Sequence, residues 1–326
     1  MLMRFMRSCL VATVALGCMA AAVALERALP STVRLVVPYP PGGSVDTVAR
    51  LLAQPLAQEL GVNIVVENRP GAGGRVAAGS LKTGPSDGSV IMIAPNALTT
   101  VQSLVYADRL PYDIRTDFVP ISRLVSYPFA LSVSSASDIK TPGELNAAIR
   151  ANPGKANFGS SGAGGMTHFS GLLYSRAADV KWEHIAFNGG APMLTALIGG
   201  HVLAGIDTLS DHIEHSRAGK IRILGIFSPE RSSLAPDIPT LREGGIEGLD
   251  VSGWFGLYGP AGMPQEAVKQ LDAAVRKALQ DPALVERLQK LVLEPAYVSS
   301  EEFASLQGKE LEVWGEIVRE SGFKPE

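Results

Sequence analysis

The stretch VRLVVPYPPGGSVDTVARLLAQPLAQEL, residues 33–60, contains a strand, a turn and a helix in immediate succession. Residues 33–37 form a short β-branched run that predicts a buried strand. Prolines and glycines end this run, and apolar residues then recur at helical spacing over residues 47–60. A glycine-rich turn between a strand and a helix exposes backbone N–H groups that favour an anion. This turn carries Asp46 and no lysine, which argues against phosphate as the anion.

The same alternation of short apolar runs and longer amphipathic stretches continues along the chain. Further strands are predicted at residues 63–67, 90–94, 157–159, 182–187, 204–206 and 221–227. Further helices are predicted at residues 74–81, 141–152, 167–177, 265–280, 282–291 and 301–320. Strands that alternate with helices predict an α/β fold, in which helices flank a mostly parallel sheet.

The chain of 326 residues is long enough for two domains. Two apolar segments, residues 121–133 and 249–258, are candidates for crossings between them. We therefore predict one lobe from residues 25–126 and 253–326, and a second from residues 127–252. Two α/β lobes joined by two strands enclose a cleft, and ligands bind such folds at the carboxyl ends of strands.

The first 24 residues have the features of a secretory signal peptide. Arg4 and Arg7 precede an apolar run over residues 9–23, and Ala22-Val23-Ala24 supplies a small-residue cleavage pattern. Both cysteines of the chain fall inside this segment, so the mature protein forms no disulfide and has no cysteine nucleophile. Export without disulfides suits a bacterial periplasm. No later stretch is long and apolar enough to cross a bilayer, so we expect a soluble periplasmic protein.

The charge of the mature chain argues against nucleic acid as a partner. Removing Arg4 and Arg7 from 29 basic residues leaves 27 against 32 acidic residues, a net charge of −5. The sequence contains no basic tail or run of lysine and arginine. Neutralising phosphates requires a basic surface, so nucleic-acid binding is not expected.

Four glycine-rich or polar loops lie at the ends of predicted strands. They are residues 37–46, 68–75, 159–168 and 187–192, with Asp207 following a later strand. Each loop exposes N–H groups ahead of a helix, where the helix dipole favours a carboxylate. Any one of these loops could be an ordinary strand-to-helix turn that binds no ligand. Together, at the same edge of a sheet, they predict one binding cleft.

Motifs for cofactors and catalysis are incomplete. Neither glycine-rich loop has the third glycine of a dinucleotide fingerprint or the Gly-Lys ending of a nucleotide loop, and no cofactor is predicted. The sequence around Ser161 matches the nucleophile-elbow motif G-x-S-x-G except at its last glycine. An exported hydrolase that uses Ser161, His168 and Asp207 is therefore the alternative function. His212 and His215 resemble half a metal site, but without a third ligand they indicate a solvated amphipathic helix instead.

The loops taken together resemble a known family. The segments VPYPPGGSVDTVARLLAQPL, VVENRPGAGG, LPYDIRTDFVPIS, FGSSGAGGMTHFSG, FNGGAPMLTALIGG, GIFSPERSSLAPDIPTL and WFGLYGPAGMP occur in order over the whole mature chain. They are similar to the tripartite tricarboxylate transporter receptors, the Bug-type extracytoplasmic solute receptors. The resemblance implies a two-lobed, Venus-flytrap periplasmic binding protein without catalysis. It also implies that a small organic acid is held in the cleft, largely by backbone and hydroxyl groups.

The resemblance implies a set of ligand-binding residues at matching positions. In the first lobe these are Tyr39, Gly43, Ser44 and Asp46. In the second lobe they are Ser160, Ser161, Gly164, Thr167 and His168, with Asn188, Gly189, Ala191 and Asp207 at the far end of the cleft. The implied partners are the ligand and either the membrane subunits of a tripartite transporter or a sensor protein, and we expect a monomer.

Three positions depart from the family pattern. Arg75 stands where an asparagine is common, and residues 199–203 read Gly-Gly-His-Val-Leu where the family has a polar pair. Asn188 replaces a lysine or arginine that relatives often carry. Loss of that cation indicates a smaller or less charged group at the far end of the ligand.

Overall fold

The computed structural model describes residues 28–324, so the predicted signal peptide lies outside the described residues. Within them the strands are labelled in chain order. They are β1 Thr32–Val37, β2 Asn63–Asn68, β3 Val90–Pro95, β4 Phe118–Ser134, β5 Asn157–Ser160, β6 Glu183–Ala186, β7 Ala204–Thr208, β8 Ile221–Ile226, β9 Ser252–Pro260 and β10 Glu294–Val298.

The helices of the described chain pack around these strands. They are α1 Ser44–Leu60, α2 Arg75–Lys82, α3 Gln102–Val105, α4 Pro142–Ala151, α5 Met166–Ala177, α6 Gly190–Ile198, α7 Leu209–Arg217, α8 Gln265–Ala278, α9 Pro282–Lys290 and α10 Ser300–Ser321. A single π-helical turn, Ala97–Val101, leads into α3. Between residues 28 and 324, no helix combines the length and apolarity needed to span a membrane.

The strands form two groups in which neighbours run parallel. Antiparallel strand pairs link the two groups. In the first half β1 lies between β2 and β3 and runs parallel to both. In the second half β5 lies parallel to β6 and β7. The order along the sheet is β2-β1-β3-β9-β4-β7-β5-β6, and β8 and β10 also pair with β4. This α/β architecture confirms the predicted fold class, with antiparallel pairings of β4, β8, β9 and β10 added to the parallel strands.

Strands β4 and β9 connect the two halves. The first part of β4 pairs with β9 from Phe118 opposite Pro260 to Pro128 opposite Ser252. The last part of β4, from Phe129 onward, pairs with β7 and β8 of the second half. The predicted crossing segments lie along these two strands. Residues 126 and 253 remain our predicted boundaries between the lobes.

Local signals explain why most elements begin where they do. Thr141 caps α4 by accepting the Glu144 N–H at 3.1 Å, and Glu144 accepts the Thr141 N–H at 3.1 Å in return. Helix α1 begins at Ser44 rather than at residue 47, because Gly43 already has the extended backbone of an N-cap. Strand β10 carries no clear sequence signal and was not predicted. It is a half-buried strand containing Pro295 that pairs only irregularly with β4.

Candidate ligand-binding site

Four helices begin beside one cleft between the two halves. Their N-caps are Gly43 for α1, Gly165 for α5, Gly189 for α6 and Thr208 for α7. The first backbone N–H groups of a helix have no partner within it, and the helix dipole makes this end positive. The start of each of these helices therefore favours an anion.

The cleft has an aromatic floor and polar walls. Tyr127 and Phe129 of β4 and Phe255 of β9 form the floor, with the Tyr127 and Phe255 ring centres 4.6 Å apart. Its empty volume is about 610 Å³, counting space open to solvent. The other lining residues are Tyr39, Pro40, Gly43, Ser44, Val45, Asp46, Pro95, Ala97, Ser161, Thr167, Gly189, Gly190, Ala191, Pro192, Asp207, Thr208 and Asp211.

Most of the residues expected at the site lie together in this cleft. They are Tyr39, Gly43, Ser44, Asp46, Ser161, Thr167, Gly189, Ala191 and Asp207. The second glycine-rich loop does not line it. There Arg75 lies over the Tyr106 ring, 3.8 Å from its centre, and donates to Gln102 Oε1 at 3.2 Å. The exposed Asn188 does not line the cleft either.

Three other expected residues lie behind the cleft wall and support it. The His168 Nδ1 atom accepts the Gly164 N–H at 3.1 Å, and the His168 ring stacks on His184 with centres 3.8 Å apart. The Ser160 hydroxyl lies 2.7 Å from His184 Nε2. Burial lowers the pKa of His168 to about 4 and that of His184 to about 3, so both rings are neutral near pH 7. Their visible role is to hold the third loop in shape.

Asp46 lies in the first turn of α1 and forms an ion pair with Arg50. Arg50 Nε donates to both carboxylate oxygens at 3.1 and 3.0 Å, and Asn68 Nδ2 donates at 2.9 Å. The Gly42 N–H adds a fourth bond at 3.0 Å. Burial opposes ionisation, yet these bonds hold the pKa of Asp46 below its ordinary value. The carboxylate therefore braces the first loop.

A second acid, Asp211, was not predicted at the site but lines the cleft. The Ser44 N–H donates to Asp211 Oδ1 at 3.0 Å, and the Ser44 hydroxyl donates to Oδ2 at 3.4 Å. These bonds join the start of α1 to the start of α7, and so connect the two halves across the cleft. Burial raises the pKa of Asp211 above its ordinary value.

Asp207 lies in strand β7, four residues before Asp211 in the chain, and is almost fully buried. Its Oδ1 atom accepts the Thr208 N–H at 2.9 Å and the Ser161 hydroxyl at 3.3 Å. Its Oδ2 atom is buried and has no hydrogen-bond partner among residues 28–324. Burial, and after it the charge of Asp211, raise the pKa of Asp207 well above its ordinary value.

The alternative site chemistries are not assembled in this form of the protein. The Ser161 hydroxyl contacts Asp207 and Thr167, while His168 Nδ1 is bonded to the Gly164 N–H, so the part of the chain that the structure describes contains no Ser161–His168 bond. His212 is fully buried with Nδ1 2.7 Å from the Ser132 hydroxyl, so its helix face is not solvated as predicted. Residues 28–324 contain no cluster of three potential metal ligands.

Comparison with known proteins identifies the family of the chain. The sequence model of the family described as "Tripartite tricarboxylate transporter family receptor" matches residues 48–323. The chain is 34% identical over 286 residues to the UPF0065 protein in the tcbD-tcbE intergenic region of a Pseudomonas species, covering 87% of this chain and 84% of that protein. It is 30% identical over 292 residues to protein BugT of Bordetella pertussis, covering 90% of each.

Solved structures show the same fold. R. palustris Rpa4515 with adipate has a TM-score of 0.87 at 30% identity, covering 90% of this chain and 98% of that one. MatC (Rpa3494) from Rhodopseudomonas palustris with bound malate has a TM-score of 0.82 at 31% identity, covering 88% and 98%. The chain thus belongs to the TctC family, the tripartite tricarboxylate transporter receptors, and is a solute-binding receptor with the fold of a periplasmic binding protein.

Proposed function

We propose that the protein captures a small organic acid in the cleft between its lobes and delivers it to a membrane transporter. The observation that carries this proposal is the convergence of four helix N-termini on one cleft. Helices α1, α5, α6 and α7 all begin among the lining residues. A carboxylate placed there is stabilised by N–H groups that have no partner within their own helices, and by the helix dipoles.

The side chains of the cleft support the same ligand class. Ser44, Ser161 and Thr167 bring hydroxyl donors to the lining, and none of the lining residues is lysine, arginine or histidine. Neutral donors are sufficient for a carboxylate, because hydrogen bonds to the charged form favour that form. Water molecules that bridge the ligand and these groups would not weaken the site.

Two solved relatives contain carboxylates, MatC with malate and Rpa4515 with adipate. We infer that a ligand touching both lobes shifts an open–closed equilibrium towards the closed form. The closed form would then dock, as a monomer, on the membrane subunits of a tripartite transporter or on a sensor protein. Residues 1–24 would direct the chain to the periplasm.

A thermal-shift screen of mono-, di- and tricarboxylates tests the ligand class. A ligand that binds only the native state stabilises it by about 2.7 kcal/mol when present at a hundred times its Kd. The matched controls are the corresponding neutral amides, which keep the shape and lose the charge. We expect acids to raise Tm and amides not to. A rise with a neutral sugar or a metal ion, and with no carboxylate, would overturn the proposal.

An exported hydrolase using Ser161 is the other candidate function. It predicts turnover of simple esters and loss of that turnover in Ser161→Ala. The receptor proposal predicts no turnover in either protein, because the Ser161 hydroxyl contacts Asp207 and Thr167 rather than a histidine. Ester hydrolysis measured on both proteins distinguishes the two functions.

A further inference from the structure

A buried carboxylate oxygen in the cleft has no partner. Asp207 is only 3% exposed and lines the cleft, and its Oδ2 atom forms no hydrogen bond to any residue between 28 and 324. A buried charge without a partner is costly, so proteins pair it, protonate it or reserve it for a ligand. The other oxygen of the same carboxylate is fully engaged by Thr208 and Ser161. Oδ2 therefore remains without a hydrogen bond in the described part of the chain.

The carboxylate of Asp211 lies close to that of Asp207. A Cβ atom at Gly190 would lie 2.8 Å from Asp207 Oδ2 and 2.7 Å from Asp211 Oδ2. The two oxygens therefore converge beside Gly190, where the missing side chain lets both carboxylates approach the backbone. Among residues 28–324, no lysine, arginine or histidine lines the cleft to balance these acids. Asp46, the third acid of the lining, already has Arg50.

The chemistry of this pair favours a cation. An ammonium group carries three donors and one positive charge, and can bond to both oxygens at once. A second carboxylate at this position would meet two like charges, which disfavours its ionised form. A hydroxyl supplies a single donor and no charge. Burial raises the pKa of both acids, so a cation would also offset the cost of keeping them ionised.

We propose that the solute carries a protonated amine in addition to its carboxylate, and that Asp207 and Asp211 bind this amine. The inference rests on the proposed function, which assigns the carboxylate to donors such as Thr167 at the start of α5. In this proposal, Asp207 and Asp211 determine the specificity of the receptor for amine-bearing acids. Malate and adipate carry no amine, so the preferred ligand of this receptor differs from theirs.

Acids that share a carbon skeleton test the proposal. One series is succinate, L-malate and L-aspartate, and a second is propanoate, L-lactate and L-alanine. Calorimetric Kd values are measured for the parent protein, Asp207→Asn and Asp211→Asn. In at least one series the amino acid should bind at least about tenfold more tightly than its partners, as expected for charge-assisted hydrogen bonds. Each Asp→Asn change should reduce that preference about tenfold or more.

Glu214→Gln provides the matched control. Glu214 lies three residues after Asp211 on the same helix, is exposed, and forms an ion pair with Arg217 at 2.7 Å. Its replacement removes one negative charge without touching the cleft and should leave the preference unchanged. The parent protein alone gives a decisive comparison if either cleft variant fails to fold.

The outcomes separate this inference from the proposed function. If the acids without an amine bind as tightly as the amino acids, the amine inference is overturned while the carboxylate proposal stands. A preference for amines that survives in both Asp→Asn variants also overturns it. If propylamine binds and no carboxylate does, the proposed function fails. Absence of binding by every member of both series overturns both.

Discussion

The N–H and hydroxyl groups of Ser44 both donate to the carboxylate of Asp211, at 3.0 and 3.4 Å, and connect the two lobes across the cleft. The two residues are separated by 167 positions in the chain, so the contact exists only when the lobes approach each other. It places an acid of one lobe at the positive end of a helix from the other. Asp211 thus holds a position that suits a ligand carboxylate, and its bond to Ser44 favours the closed arrangement.

Asp211→Ala should shift the ligand-free protein from the closed form towards the open form. A hydrogen bond to a charged group contributes about 1.5–3 kcal/mol, so its loss should raise the open population about tenfold or more. Small-angle X-ray scattering should show a larger radius of gyration for the variant than for the parent protein. Glu214→Ala, an exposed change on the same helix, should leave the scattering unchanged. Superimposable curves for Asp211→Ala and the parent would contradict the role of this bond.

Gly190→Ala should reduce ligand affinity at least as much as it reduces the stability of the fold. The new Cβ atom would lie within 2.8 Å of the Asp207 and Asp211 carboxylates, so both side chains would have to move. Overpacking of this kind costs about 1–3 kcal/mol, and we expect a loss of ligand affinity at least as large as the loss of stability. Denaturant unfolding and calorimetry with an acid from the screen measure the two effects.

The matched control for Gly190→Ala is Gly308→Ala. Gly308 lies within α10, where an added Cβ would meet no atom within 4 Å. Alanine is favoured over glycine inside a helix by about 1 kcal/mol, so this variant should be slightly more stable and bind normally. Normal binding by Gly190→Ala would show that the space beside Gly190 is not used by the ligand.

The elements of the fold were predictable where the signal is local. Thr141, Pro142 and Glu144 specify the start of α4 within four residues, and the structure has the capping bonds they predict. The glycine turn at residues 42–43 indicates a following helix, but α1 begins at Ser44 rather than at residue 47. Strand β10 was missed because its pairing with β4 depends on residues more than 160 positions away, Glu294 opposite Ser126 for example.

The site was less predictable, because the direction of a side chain depends on distant neighbours. His168 follows the third loop at a spacing that suits the cleft, but its ring stacks on His184, which the parallel pairing of β5 with β6 brings alongside. Asp211 is close to Asp207 in sequence, yet its contact across the cleft is with Ser44 in the other lobe. Nothing in the local pattern around residue 211 indicates that contact.

The double variant Ser44→Ala, Thr167→Ala should weaken ligand binding without unfolding the protein. Each change removes one hydroxyl of the lining, and each hydroxyl hydrogen bond contributes about 1 kcal/mol. The expected loss of affinity is about tenfold or more, measured by calorimetry. Ser80→Ala, Thr83→Ala is the control, since those hydroxyls bond only to carbonyls of their own helix. Unchanged affinity in the first variant would mean that the ligand lies elsewhere.

Acid should destabilise the fold through its buried histidines. The folded-state pKa values of His168 and His184 are about 4 and about 3, lowered chiefly by burial, whereas an unfolded histidine titrates near pH 6.5. Below about pH 6.5 the unfolded chain therefore binds more protons than the native protein, and stability falls as pH falls towards the folded values. The raised pKa values of Asp207 and Asp211 act in the opposite direction and reduce the net slope.

His184→Gln isolates one histidine from these opposing effects. Glutamine does not titrate, so the free energy of unfolding of the variant should fall less steeply between pH 6 and 4. The expected difference in slope from the parent protein is about 1.4 kcal/mol per pH unit. Urea unfolding at a series of pH values measures it, and above pH 7.5 the difference between the two proteins should be constant. Parallel curves across the acidic range would show that His184 takes up its proton equally in the folded and unfolded chains.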